Sequence, residues 1–140
     1  MAIKFFYHGT SIKIPKRKKL KQFIKTLFIS EGTNLYSLTY IFCTDKYLLS
    51  INREFLHHDD YTDIITFCLS DSPDPVAGEI YISAQRVADN ANQLGVPNNK
   101  ELHRVIFHGA LHLCGYKDKA RGDKKRMTLA EEKYLKMYFT

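Results

Sequence analysis

The stretch from Leu102 to Leu113 limits the fold more than any other part of the chain. Leu102, Val105, Ile106, Phe107, Ala110, Leu111 and Leu113 make a helix that is apolar almost all the way round. Such a helix is a central element with the rest of the chain packed about it. Asn98 with Glu101 reads as a capping box that opens it, and Gly115 as its stop, because glycine takes the left-handed conformation after a helix without a Cβ penalty. Within this apolar surface stand His108 and His112. Residues four apart lie one turn above each other, roughly 6 Å apart at Cβ, so two imidazoles can close on one cation at about 2.0–2.1 Å. The turn at Gly115 can swing Asp118 over them, which gives three ligands and leaves other coordination positions vacant. His103 falls well round the helix from this pair and is read as a solvated residue.

Zinc peptidases share the HxxxH spacing, but there a glutamate follows the first histidine and activates water. Here that position is Gly109, which cannot take a proton, so a peptidase is the minor reading.

The chain of 140 residues fits one domain, residues 1–140, long enough to bury a core without disulfides or a structural metal. With 44% hydrophobic and 26% charged residues it reads as globular rather than disordered. No apolar run approaches the roughly 18 residues of a membrane span, and the start lacks the long apolar segment of a signal peptide. A soluble, cytoplasmic protein with no membrane partner is expected. Cys43, Cys68 and Cys114 are odd in number and far apart, which fits a reducing compartment and no disulfide framework. Cys114 reads as a small buried residue.

Charge is unevenly placed. Lys13, Lys16, Arg17, Lys18, Lys19, Lys21 and Lys25 have no acid among them. A second cluster, Lys117, Lys119, Arg121, Lys124, Lys125 and Arg126, adjoins the histidine motif. A solubilising face and a polyanion-binding face are equal readings of the first cluster. The position of the second favours RNA. Tyr116 beside it serves either base stacking or packing under the loop.

The remaining elements follow from periodicity. Ile3–Tyr7 is a short strand, and Pro15 opens a helix with Leu20, Phe23, Ile24, Leu27 and Phe28 on one face, closed at Gly32. Tyr36, Leu38, Tyr40 and Phe42 alternate as a strand. Thr44 or Asp45 caps a helix carrying Leu48, Ile51 and Phe55. The polar loop from His57 to Asp63 leads into an apolar run, Ile64–Leu69, suited to a central strand. After a Pro-containing turn comes a strand over Glu79–Ile82. Ser83 then caps a helix with Val87, Ala91 and Leu94, and the last helix carries Met127, Ala130, Tyr134 and Met137. The order β-α-β-α-β-β-α-α-α predicts an α+β domain, with a small mixed sheet of about four strands covered by helices.

His108-Gly-Ala-Leu-His-Leu-Cys-Gly-Tyr-Lys-Asp118 resembles the HGxLHLxGYDH signature of the YbeY family. Ile51-Asn52 through Asp63-Ile-Ile-Thr-Phe67 resembles that family's LN…D.PTDVLSF block, and Gly78-Glu-Ile-Tyr-Ile-Ser83 its GDIxIS block. The resemblance implies a zincin-like metal hydrolase. It implies a single-strand-specific endoribonuclease of ribosomal RNA maturation at the 3′ end of the small-subunit RNA, with one divalent ion, zinc foremost. The implied partners are ribosomal RNA or the small ribosomal subunit, with no nucleotide cofactor. Asp118 stands where the family has its third metal histidine and remains a competent ligand. Leu56 stands where the family carries an arginine, and Arg53, His57 and His58 are the possible stand-ins. The rival reading is a ribosome or RNA binding factor with a structural metal and little hydrolysis.

Overall fold

The computed structural model describes residues 2–72 and 74–140, with the backbone alone at Ala2. Its elements are β1 (Ala2–His8), α1 (Arg17–Ser30), β2 (Leu35–Cys43), α2 (Asp45–Leu56), β3 (Ile64–Cys68), β4 (Val76–Ser83), α3 (Ala84–Leu94), α4 (Asn98–Leu113) and α5 (Arg121–Tyr138). This is the expected α+β order. The four strands form one mixed sheet in the order β1-β2-β4-β3, with β1 and β4 parallel to β2 and β3 antiparallel to β4.

Helix α4 is the centre of the main core. Its Leu102, Val105, Ile106, Phe107, Ala110 and Leu111 are buried against Leu38, Tyr40 and Phe42 of β2, Ile80 and Ile82 of β4, and the inward faces of α1, α3 and α5. The Tyr40 hydroxyl donates to the carbonyl oxygen of Ile106 at 2.8 Å, tying helix to sheet. A Cβ added at Gly109 would lie 2.9 Å from Ile80 Cδ1 and 3.0 Å from Ile64 Cδ1. The glycine that denies this helix a peptidase base therefore also lets it approach the sheet. Thr44 caps α2 by accepting from the Tyr47 amide, and Ser83 caps α3 by accepting from the Arg86 amide.

Several local expectations are corrected. β3 is an edge strand rather than a central one. Its apolar run is explained by helices on both faces, Ile64 packing on the main core while Ile65 joins Leu48 and Ile51 of α2 in a second cluster. Leu69, expected to continue the strand, is exposed beyond its end. In β2 a register irregularity between Leu35 and Ser37 turns Leu35 inward and leaves Tyr36 exposed. Pro97, not Asn98, holds the N-cap position of α4, with no side-chain cap, and Glu101 is buried instead of closing a capping box. His103 is 1% exposed, not solvated: its Nδ1–H donates to the Asn99 carbonyl at 2.7 Å and its ring stacks on Tyr138. On α3 Leu94 points to solvent, and on α5 Tyr138 rather than Met137 completes the buried stripe. Cys114 is half-buried, with burial pushing its thiol up to about 11. No described helix is long and apolar enough to cross a membrane.

Candidate metal centre

Helix α4 ends as a Schellman turn. The Tyr116 amide donates to Leu111 O at 3.0 Å, the Gly115 amide to His112 O at 3.0 Å, and Gly115 takes φ 101°. That reversal brings the following residues back along the helix. Asp118 Oδ2 lies 3.2 Å from His108 Nε2 and 3.1 Å from His112 Nε2. The three side chains, all partly buried, offer ligand atoms within 4.8 Å of one another. Ligand atoms at about 2.05 Å from a four-coordinate ion lie about 3.3 Å apart, so the two measured separations already match such a centre.

The hydrogen bonds on the far side of each ring fix the chemistry. His112 Nδ1 faces the Tyr116 carbonyl at 2.9 Å, and His108 Nδ1 faces Glu131 Oε2 at 2.5 Å. A carbonyl and a carboxylate only accept, so both Nδ1 atoms carry hydrogen, and in the neutral imidazoles both Nε2 atoms present lone pairs. The third atom at the meeting point is a carboxylate oxygen. With the imidazoles neutral, three electron-rich atoms converge, an arrangement that a metal ion satisfies; without one, a proton on His112 Nε2 makes it a donor to Asp118 at 3.1 Å. A donor set of two nitrogens and one oxygen suits zinc and neighbouring first-row ions.

The group lies in a cleft of about 640 Å³ between α2, β3, α4 and the turn after Gly115. Asp60, Asp63, Arg104 and Lys119 bring charge to its walls, while Leu56, Ile64, Ile65 and Leu113 bring apolar surface. Asn52, buried on α2, holds the rim by donating to the Asp60 carbonyl at 2.8 Å. Of the three proposed stand-ins for an arginine at Leu56, only His58 lines this cleft. Arg53 is turned onto Asp59, and His57 is the exposed, left-handed C-cap of α2. Of the second basic cluster, Lys119 is on the cleft wall. Lys117 and Arg126 flank a separate hollow beside Tyr116, where Arg126 pairs with Asp123. Arg121, Lys124 and Lys125 are exposed on the first turns of α5. Tyr116 packs against the core and donates to Glu31 at 2.9 Å, which decides in favour of its packing role.

Two residues that the sequence reading missed complete the site. Arg104, one turn before His108, contacts Glu101 on its own helix and Glu131 on α5. The hydrogen bonds it donates to Glu101, with the charge of Glu131 behind them, raise its pKa further and keep it protonated against the opposing effect of burial. The available signal was a Glu–Arg pair three residues apart within the apolar surface of α4. Nothing in the sequence marks Glu131, 27 residues further on, as its partner.

Comparison with known proteins agrees with this geometry. A family model described as Endoribonuclease YbeY matches residues 7–138. The chain is similar to the Endoribonuclease YbeY of Cytophaga hutchinsonii, 43% identical over 133 residues covering 95% of this chain and 93% of the relative. The protein of the same name from Bacteroides thetaiotaomicron is 42% identical over 137 residues, covering 98% of this chain and 99% of the relative. That from Porphyromonas gingivalis is 44% identical over 135 residues, covering 96% and 89%. Among solved structures, the solution structure of TM1509 from Thermotoga maritima superposes with a TM-score of 0.68 at 27% identity, covering 96% of this chain and 89% of that one. With nearly its whole length matched and its histidine motif folded into a cation-seeking centre, this chain belongs to the YbeY family of endoribonucleases.

Proposed function

We propose that the protein is a metal-dependent endoribonuclease that cuts single-stranded ribosomal RNA, acting in the cytoplasm on the 3′ end of the small-subunit RNA. One divalent ion, zinc foremost, is held by His108, His112 and Asp118. The observation that carries this reading is the convergence of three lone-pair-bearing ligand atoms in an open, charged cleft. The family relationship and the relatives' shared name support the substrate class.

When bound, a divalent ion supplies Lewis acidity to a phosphoryl oxygen and acidifies water enough to furnish hydroxide near neutral pH. The chain's own residues supply the rest. Glu131 and the Tyr116 carbonyl hold the two imidazoles in one tautomer and orientation. Lys119 at the rim and the exposed cations Lys117, Arg121, Lys124, Lys125 and Arg126 attract the phosphate backbone. Among the stand-ins, a phosphate-binding role is assigned to His58, supported by its presence in the cleft wall, and Leu56 contributes apolar wall where the family arginine would stand. No carboxylate occupies the peptidase-base position, since Gly109 faces the sheet.

The deciding experiment is cleavage of a single-stranded RNA oligonucleotide, with a chelator control and His112→Ala. Cleavage lost on chelation, restored by Zn²⁺ and absent from folded His112→Ala is the expected result. RNA binding without metal-dependent cleavage would replace it with an assembly-factor role.

A further inference from the structure

Behind the ligands lies a run of buried charge that three metal-binding side chains do not by themselves require. Glu101 is 1% exposed and Glu131 4%. Arg104 stands between them, its Nε and Nη2 donating to the two Glu101 oxygens at 2.8 and 2.7 Å and its Nη1 to Glu131 Oε1 at 3.1 Å. The other oxygen of Glu131 accepts from His108 Nδ1 at 2.5 Å. One guanidinium therefore faces two buried carboxylates, with Asp63 a further 3.9 Å from its Nη2. Burying such a group carries a large desolvation penalty for each ion, and an apolar replacement of a buried ion pair is often neutral or stabilising. A tie between two helices could have been made more cheaply from leucines. What leucines cannot do is present a fixed anion to the back of an imidazole.

We propose that Arg104 and Glu131 are positioning residues that set the metal affinity of the centre. Arg104 fixes the Glu131 carboxylate, and Glu131 fixes the tautomer and ring plane of His108 and makes its Nε2 a stronger donor to the cation. Because His108 is on α4 and Glu131 on α5, the affinity depends on how α5 docks. The inference rests on the metal reading of His108, His112 and Asp118, but not on RNA as the substrate.

The test is Co²⁺ and Zn²⁺ binding by competition with a chromophoric chelator, together with the visible spectrum of the Co²⁺ form. It compares the parent chain, Glu131→Gln and the double variant Glu101→Leu/Arg104→Met. The double variant removes the bidentate pair together, so Glu101 is not left as an unpaired buried charge. Glu131→Gln is expected to bind 10- to 100-fold more weakly, the range for an outer partner of a metal histidine. The double variant is expected to bind about tenfold more weakly with a shifted Co²⁺ spectrum, because Glu131 remains but is no longer held. Affinities within about twofold of the parent and an unchanged spectrum would make the network a structural tie only and overturn the proposal. Should Glu131→Gln fail to fold, the double variant decides by the same figures. Failure of both to fold would assign the network to folding and likewise overturn the proposal. A parent chain that binds neither metal would instead refute the proposed function.

Discussion

Asp118→Asn is expected to stabilise the metal-free protein while abolishing its use of metal, because the ligand group is arranged for a cation and not for itself. With no metal bound and both imidazoles neutral, Asp118 Oδ2 faces the lone pairs of His108 Nε2 and His112 Nε2 at 3.2 and 3.1 Å. An asparagine amide turned the same way presents two N–H donors to those lone pairs. A neutral hydrogen bond is worth about 0.5–1.5 kcal/mol, and with the Asp118 side chain 37% exposed the low end applies, about 1 kcal/mol for the pair. Unfolding entropy of about 2.1 cal/mol/K per residue over 140 residues makes 1 kcal/mol about 3 °C in Tm. Saturating metal at 100 times Kd contributes about 2.7 kcal/mol to the parent, a rise of about 9 °C, and little to the variant. The two proteins therefore change rank. Thermal scans in chelator, run well above the ordinary histidine pKa of about 6.5 so that both rings are neutral, place Asp118→Asn above the parent, and scans with Zn²⁺ place it below. A variant less stable than the parent in chelator, or one with the full metal-induced rise, would refute the reasoning that three acceptors meet there without a donor.

Two further outcomes follow from the core. Gly109→Glu is expected to prevent folding rather than create a peptidase, since its Cβ alone would sit 2.9–3.0 Å from Ile80 and Ile64 and the carboxylate would be buried without a partner; circular dichroism and a peptide-cleavage assay check this. His103, whose pKa burial lowers from its usual 6.5 against the raising effect of the Asn99 carbonyl, takes up its proton more readily unfolded than folded as pH falls. Stability conferred by the neutral ring is therefore present above pH 6.5 and lost below it, and His103→Phe is expected to flatten that acid-side slope in urea unfolding carried out with chelator present.

What the sequence made legible is what is local along the chain. The apolar stripe of α4, the HxxxH pair, the stop at Gly115 and the return of Asp118 all fall between residues 102 and 118, and helix geometry with a known turn relates them. The Thr44 and Ser83 caps were legible for the same reason. The failures share an opposite cause. His103 reads as solvated because polarity is the only available signal, and Glu101 as a capping-box residue because of its spacing from Asn98, yet His103 is covered by Tyr138 and Phe139, and Glu101 is held by its arginine. The run Ile64–Leu69 looked central because two covered faces and a central place in a sheet leave the same apolar pattern. Only the pairing with β4 alone shows that β3 is an edge.

The absence of an arginine at position 56 looks like a loss of catalytic charge only until the whole cleft is considered. Its fixed charges are three carboxylates, Asp60, Asp63 and Asp118, against two cations, Arg104 and Lys119. Arg104 is already engaged by Glu101 and Glu131. With Leu56 in the wall the cleft itself is net negative, although the chain as a whole carries +6. A phosphate backbone is thus drawn towards the exposed lysines and arginines after Gly115 and resisted at the cleft. A divalent cation on His108, His112 and Asp118, as proposed above, would reverse that sign where the reaction must occur. In a chain with a family arginine at this position, part of that attraction is built into the protein. Here the proposed cation would have to supply it, so binding of single-stranded RNA, and not only its cleavage, is expected to weaken when metal is removed by a chelator.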